Sequence, residues 1–190
     1  AHSSRFFAFY TDLLKLQSEV EQNLGIPEIK LDPAEVSQRL AARQILLKPE
    51  EMEIDWAYAS EVFGQVISLF AGFPELLNGF PPQLPQAQPG LTPEIVRSWL
   101  EKAPMPQTIS GIETPAFVLS TLILLTLRPF LTGYALAFRD SYNQDLWRQG
   151  MCPVCGSVPA IAYLEKKLGA RWLICSCCNM HWEFQRIDCA

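Results

Sequence analysis

The sequence predicts a mainly α-helical protein with a small β module at its C-terminal end. Apolar residues recur at steps of three and four along most of residues 1–148, which is the period of an amphipathic helix. From residue 149 onward the pattern changes to short strand-like runs, and all six cysteines lie in this part of the 190-residue chain. We therefore predict an all-α helical domain over residues 1–148 and a separate module over residues 149–190.

The helices of the N-terminal part are predicted from capping residues and prolines. Asp32-Pro33 and Thr92-Pro93 each place a capping side chain before a proline, which fits the first turn of a helix. Asp55 is a candidate cap for another helix. The expected helices cover residues 4–24, 33–46, 56–72, 93–102 and 115–127. No alternation in this part of the chain is long enough to predict a sheet, so we expect a helical bundle.

One segment is apolar enough to raise the question of membrane insertion. Residues 116–127 carry no charge, but a run of this length is too short to cross roughly 30 Å of hydrocarbon. We therefore predict a helix buried near the centre of the bundle. Pro129 cannot donate a backbone hydrogen bond, so it is expected to kink or split this helix, with a second helical half over residues 129–147.

The balance of charge is acidic. The chain holds 15 basic and 20 acidic residues, a formal net charge of −5. Nucleic-acid binding needs clustered Lys and Arg, so this balance argues against that class of partner. An acidic run formed by Glu50, Glu51, Glu53 and Asp55 is predicted to be a solvated face, with a docking surface as the alternative.

The C-terminal module contains two pairs of cysteines at metal-ligand spacing. Cys152 and Cys155 form the first pair, and Cys175 and Cys178 follow after nineteen intervening residues. Two residues between paired cysteines allow a tight turn, or knuckle, to direct both sulfurs at one ion, and Gly156 suits the left-handed residue that closes such a turn. Four thiolates fit tetrahedral zinc or iron. We predict a zinc-ribbon or rubredoxin-like four-cysteine site with structural Zn²⁺, or Fe in the same site, and disulfides or free thiols are the alternatives.

Other residues of the module carry weaker signals. Cys177 is predicted to be a free thiol, and His181 is predicted to be an ordinary surface or packing residue rather than a ligand. The partner of Cys189 is left open. Three tryptophans are expected to seal the module against the helices. They are Trp147, Trp172 and Trp182.

No catalytic site is predicted. Four protein ligands leave a metal ion no open position for water or substrate. The chain has two histidines and lacks a glycine-rich phosphate loop, a nucleophile elbow and a His-Glu-x-x-His motif. We therefore predict a protein that is not an enzyme, and its clustered cysteines favour a reducing, cytoplasmic location.

The residues around the cysteines resemble a known family. They are Trp147, Gly150, Cys152-Pro-Val-Cys-Gly-Ser157, Pro159, Arg171-Trp-Leu-Ile-Cys175, Cys178, Trp182, Arg186 and Cys189. This combination resembles the formate dehydrogenase accessory (formation) protein family, FdhE, most specifically over residues 147–189. The stretch Leu127-Arg-Pro-Phe-Leu131 and the helical N-terminal part are similar too. By position, the two cysteine pairs match the first and second knuckles of the family.

The resemblance implies a cytoplasmic, non-catalytic assembly factor. Members are linked to biogenesis of molybdenum- or tungsten-dependent formate dehydrogenases, and they contact the immature catalytic subunit. No nucleic acid and no membrane insertion are expected, and a homodimer is left open. A second ribbon, typical of the family, is expected to be absent or cut off after Cys189. The alternatives are a rubredoxin-like iron redox protein and a zinc-ribbon nucleic-acid-associated module.

Overall fold

The computed structural model describes residues 2–73, 76, 90–106, 108–109, 112–166 and 169–184. Five α-helices and two small antiparallel sheets lie in these ranges. The helices are α1 (His2–Leu24), α2 (Pro33–Ala41), α3 (Trp56–Ala71), α4 (Pro93–Leu100) and α5 (Ala116–Phe138). The strands are β1 (Thr108–Ile109), β2 (Ile112–Glu113), β3 (Pro159–Leu164), β4 (Arg171–Cys175) and β5 (His181–Phe184). The mainly α fold with a small C-terminal sheet is confirmed.

The predicted caps begin their helices as expected. The Asp32 carboxylate accepts a hydrogen bond from the Glu35 backbone N–H at 2.8 Å, and Pro33 occupies the first turn of α2. Asp55 caps α3 by accepting from the backbone N–H groups of Ala57 and Tyr58. These side chains satisfy N–H groups that the first turn of a helix leaves without partners.

The chain divides into two compact units that do not follow sequence order. One unit is formed by Ala1–Asn23 with Glu53–Pro129, and the other by Leu24–Met52 with Phe130–Ala190. The second unit therefore contains the β module together with α2 and the end of α5. The predicted division into a helical domain over residues 1–148 and a metal ribbon over residues 149–190 stays a prediction.

The first unit packs its aromatic and aliphatic side chains around α1, α3 and α5. Phe9 on α1 lies 4.7 Å from Phe70 on α3, measured between ring centroids. Buried aliphatic side chains of α5 in this unit include Val118, Leu119, Leu122, Ile123 and Leu127. Phe117 of the same helix is 60% exposed, so α5 is not covered on every side.

α5 continues through Pro129 and ends at Phe138, so the predicted split and the predicted second half to residue 147 are wrong, and the alternative of a kink stays a prediction. Proline removes the N–H that would bond the carbonyl four residues earlier, here that of Leu125. The side chain of Gln17 donates its Nε2–H to this carbonyl at 2.8 Å, and Gln17 is only 6% exposed. A side chain on α1 therefore supplies the hydrogen bond that the proline cannot give, so that the orphaned carbonyl keeps a buried partner.

The length of α5 also changes the argument about membranes. With 23 residues, α5 is long and apolar enough to span a bilayer by length and composition, so the predicted exclusion by length was wrong. About half of its most apolar window is buried inside the structure. Core helices of soluble proteins pass the same test, and one such helix is weak evidence for a membrane span.

Two further elements differ from the prediction. α2 ends at Ala41, five residues early, because the chain turns at Arg43, whose φ is +58°, and the next residues leave to pair with the C-terminal module. The short hairpin β1–β2 was not predicted. Its strands have two residues each, too few to show an alternation of apolar and polar residues in the sequence.

Candidate metal centre

Two similar turns form the core of the C-terminal sheet module. In each turn the N–H of the first cysteine donates to the carbonyl five residues later: Cys152 to Ser157 and Cys175 to Met180, both at 2.9 Å. The residue directly after the second cysteine is left-handed in both, with φ of +73° at Gly156 and +56° at Asn179. The role of Gly156 agrees with the prediction. Asn179 was missed, although asparagine is one of the few residues that tolerate this conformation.

The two turns are brought together by the antiparallel sheet β3–β4–β5. Pro159, directly after the first turn, pairs with Cys175 at the start of the second. The N–H and the hydroxyl of Ser176 both donate to the carbonyl of Val158, at 3.1 and 2.8 Å. The nineteen-residue spacer thus folds as a hairpin that places one knuckle against the other.

The four predicted cysteines converge. The Sγ atoms of Cys152, Cys155, Cys175 and Cys178 all lie within 4.8 Å of one another. The sulfur of Cys152 lies 3.5 Å from that of Cys178, and the sulfur of Cys155 lies 3.5 Å from that of Cys175. Cys155 also lies 3.6 Å from Cys178. These four sulfurs form a cluster that could hold a metal ion.

The spacing of the sulfurs fits a tetrahedral ion and excludes disulfides within the cluster. A disulfide requires about 2.05 Å between sulfurs, well below the distances found here. Zn–S bonds of about 2.3 Å in a tetrahedron separate the sulfurs by about 3.8 Å, close to the observed 3.5–3.6 Å. Backbone N–H groups of Cys177 and Cys178 donate to the Sγ of Cys175, at 3.3 and 3.5 Å, which favours its thiolate form.

Protonation of the cluster is uneven. Hydrogen bonds from neighbouring thiols, chiefly Cys152, lower the pKa of Cys155. Burial is the main cause that raises the pKa of Cys152, and the hydrogen bond to Cys152 is the main cause that raises the pKa of Cys178. Four thiols this close cannot all ionise unless a cation balances their charge. The donor set therefore suits a divalent ion, which would be held as a net −2 centre with four thiolates.

A segment distant in sequence supports the first knuckle. The backbone N–H groups of Leu46 and Leu47 donate to the carbonyls of Pro153 and Val154, at 2.8 and 3.0 Å. Both leucines are buried. A Cβ placed on Gly156 would lie 3.2 Å from Cγ2 of Ile45, so the first knuckle needs glycine both for its φ and for the approach of this segment.

An ion-pair network fixes that supporting segment. Arg39 donates to the carbonyl of Leu46 at 3.1 Å and to the carboxylate of Glu51 at 2.8 Å. It also reaches Glu35 at 2.7 Å. The guanidinium of Arg39 holds the pKa of Glu51 below its usual range. Glu51 thus belongs to a partly buried network, and Asp55 caps α3, so the acidic run is not simply a solvated face.

Two buried indoles hold the segment that leads into the first knuckle. The Nε1–H of Trp147 donates to the carbonyl of Met151, and that of Trp182 donates to the carbonyl of Gln149, both at 2.9 Å. Both side chains are fully buried. Trp172 is only half-buried, so the three tryptophans do not contribute equally to covering the module.

The remaining candidates lie around the cluster or outside the described residues. Cys177 is buried and is a free cysteine that does not join the four clustered sulfurs. His181 is exposed, and its Nδ1 lies 3.5 Å from the hydroxyl of Tyr163. Cys189 and Arg186 lie outside the part of the chain that the structure describes.

Comparison with known proteins connects this module to one family. Residues 151–186, which include all four clustered cysteines, match the family model described as FdhE, central domain. The chain is therefore similar to proteins of the FdhE family. A Protein FdhE homolog of Aquifex aeolicus (strain VF5) is 25% identical over 193 residues, which cover 98% of this chain and 62% of the relative. A Protein FdhE homolog of Haemophilus ducreyi (strain 35000HP / ATCC 700724) is 32% identical over 73 residues, 37% of this chain and 24% of the relative.

The aligned residues make up a larger share of this chain than of either FdhE relative. The chain spans less than two thirds of the length of both relatives. No solved structure matches the chain significantly. The resemblance predicted most specifically over residues 147–189 is confirmed for residues 151–186, the range in which the two knuckles lie.

Proposed function

We propose that this chain is a non-catalytic accessory factor that serves the formation of a molybdenum- or tungsten-dependent formate dehydrogenase in the cytoplasm by binding its immature catalytic subunit. The observation that carries the proposal is the match of residues 151–186, with their four-cysteine cluster, to the FdhE central domain. Similarity to an FdhE homolog over 98% of the chain extends the argument to the helices.

In this proposal Cys152, Cys155, Cys175 and Cys178 coordinate one structural ion, Zn²⁺ or Fe. Such an ion supplies folding free energy because the small sheet has little core of its own. Its neighbours support this role: three of the four thiols are buried, and the first knuckle is bonded to Leu46 and Leu47. Four sulfur ligands complete a tetrahedron and leave no position for a substrate.

Affinity capture tests the partner. The tagged chain would be added to an anaerobic lysate of an organism that makes a molybdenum- or tungsten-dependent formate dehydrogenase. We expect recovery of the catalytic polypeptide with the native chain and a marked loss with Cys175→Ser/Cys178→Ser, which removes one knuckle. Cys177→Ser serves as the matched control because this thiol lies outside the four-sulfur cluster. Recovery of no formate dehydrogenase polypeptide by the native chain would contradict the proposal.

A rubredoxin-like redox role is the second candidate, favoured by one observation. Cys155 is partly exposed while the other three clustered cysteines are buried, and partial exposure of one ligand would allow electron exchange with a partner. Elemental analysis and the visible spectrum of protein prepared without oxygen separate the two roles. Zinc alone in a colourless protein would exclude electron transfer, whereas stoichiometric iron with a reversible colour change would favour it.

A further inference from the structure

Strand β3 is an outer strand of the three-stranded sheet. Its one sheet partner is β4, and no strand in the described part of the chain pairs with its other side. At its end, the N–H of Glu165 donates to the carbonyl of Ala170 on the β4 side. Backbone groups alternate in direction along a regular antiparallel pair, and the pairing is regular from Ile161 to Leu164, so Ala162 and Leu164 direct their N–H and C=O groups away from β4.

The side chains of this strand are exposed on both faces. Ile161 is 58% exposed and Leu164, on the opposite face, is 57% exposed. Val158, directly before the strand, is 64% exposed. No charged residue lies between Val158 and Leu164. Proteins usually protect an outer strand with charges, prolines or bulges, and here only Pro159 and an irregularity in register near it serve that purpose.

The dimensions of the strand indicate what kind of partner it fits. Six residues at about 3.4 Å each give an edge of roughly 20 Å. With a sheet about 10 Å thick, this edge offers on the order of 200 Å², far less than the roughly 800 Å² per partner that a stable protein–protein interface buries. An edge of this size suits an extended peptide segment held by backbone hydrogen bonds, with side chains on both faces adding apolar contact. Because the strand carries no charge, a segment without charges is complementary to it.

We propose that the outward edge of β3 binds an extended, uncharged, β-branched segment of a partner polypeptide as an added strand. The identity of that partner as an unfinished formate dehydrogenase subunit rests on the proposed function, whereas the edge and the chemistry of the segment do not. An incompletely folded subunit exposes segments of this kind before its own sheets are complete.

A peptide-binding assay on the whole chain tests the edge directly. The probe is a fluorescein-labelled peptide, Ser-Thr-Val-Thr-Val-Thr-Ser, followed by fluorescence anisotropy. Ala162→Pro removes an outward N–H while leaving the β4 side intact, and it should weaken binding about fivefold or more. Ala162→Thr keeps the N–H at the same exposed position and should bind within about twofold of the native chain. Consecutive residues of an extended peptide direct their N–H groups to opposite sides. The same peptide with N-methyl groups on two consecutive central residues therefore lacks a donor on each side and should not bind.

The outcomes separate the edge from the assembly role. Absence of saturable binding up to about 1 mM peptide, or equal binding of the N-methylated peptide, would overturn the proposal. The proposal would also be overturned if light scattering shows a dimer in which the outward edge of β3 is buried and the peptide does not bind. If Ala162→Pro does not fold, the N-methylated peptide still decides the question on the native chain. Peptide binding without capture of a formate dehydrogenase subunit would contradict the assembly role alone.

Discussion

Gln17 on α1 donates a hydrogen bond to the carbonyl of Leu125 on α5, at 2.8 Å. This carbonyl is the one that Pro129, four residues later, cannot bond because proline has no N–H. Gln17 is among the few buried polar residues in the described part of the chain. The pair explains how a helix passes through a proline with its backbone polar groups satisfied.

Gln17→Met should destabilise the protein by about 1–3 kcal/mol, because it leaves the Leu125 carbonyl buried without a donor. The loss should shrink in a Pro129→Ala background, where the new N–H bonds that carbonyl within the helix. Urea unfolding of the four members of this double-mutant cycle measures the coupling. Equal losses in both backgrounds would mean that Gln17 stabilises the chain by packing alone.

Gly156→Ala should lower the free energy of unfolding by about 1–2 kcal/mol. A Cβ at φ +73° is strained, and it would lie 3.2 Å from Ile45. Asn179→Gly at the equivalent position of the second knuckle is the control and should change stability by less than about 1 kcal/mol. Thermal unfolding at fixed metal concentration compares them. Similar effects of both substitutions would contradict the special requirement at Gly156.

Cys155→Ser should lower the bound metal well below one ion per chain, because a hydroxyl replaces one of four thiolates. Cys177→Ser should retain one ion per chain, since the Cys177 sulfur lies outside the cluster. Elemental analysis of protein purified without oxygen gives the stoichiometry. Loss of metal from Cys177→Ser together with retention by Cys155→Ser would show that the ligand set is wrong.

Glu51→Gln should destabilise the chain near neutral pH and have little effect in acid. Arg39 holds the pKa of Glu51 below its ordinary value of 4.5, so the folded state favours the carboxylate. The corresponding stability is present above that ordinary value and is lost as the pH falls through the lowered pKa. The difference in unfolding free energy between the native chain and Glu51→Gln should therefore be largest near pH 7.

The exposed neighbour Glu50 provides the control for this pH dependence. Glu50→Gln removes a carboxylate that has no part in the Arg39 network, so its effect should be small and nearly constant with pH. Denaturant unfolding from about pH 7 to about pH 2.5 compares the three proteins and includes the range between 4.5 and the lowered pKa. A Glu51→Gln difference that grows as the pH falls would contradict the assigned direction of the pKa shift.

The parts of the fold that depend on local chemistry were predictable. Asp32, Asp55 and Thr92 each act through an N–H two or three residues ahead, so capping is visible in a short stretch of sequence. The four cysteines were also predictable, because knuckle spacing is local and the hairpin between them follows from the length of the spacer. Each of these features joins residues that are at most 26 positions apart in the sequence.

The features that were missed depend on partners far away in sequence. Nothing around Ile45 or Leu46 indicates that they contact a knuckle more than a hundred residues later. The early end of α2 follows from that contact. Pro129 was expected to kink or split α5. The sequence near it does not show that Gln17, on another helix, bonds the carbonyl that the proline leaves without a donor. Local propensity was overridden by tertiary hydrogen bonds in each case.

The bonds from Leu46 and Leu47 to Pro153 and Val154 have a consequence for synthesis. Ribosomes add about 5–20 residues per second, so the stretch that receives the first knuckle waits roughly 5–20 seconds before that knuckle emerges. During this interval the two leucines, which are buried in the folded chain, lack the carbonyl groups that their N–H groups bond. We therefore expect the segment around Leu46 and Leu47 to stay open to proteolysis during synthesis until the first knuckle has been made.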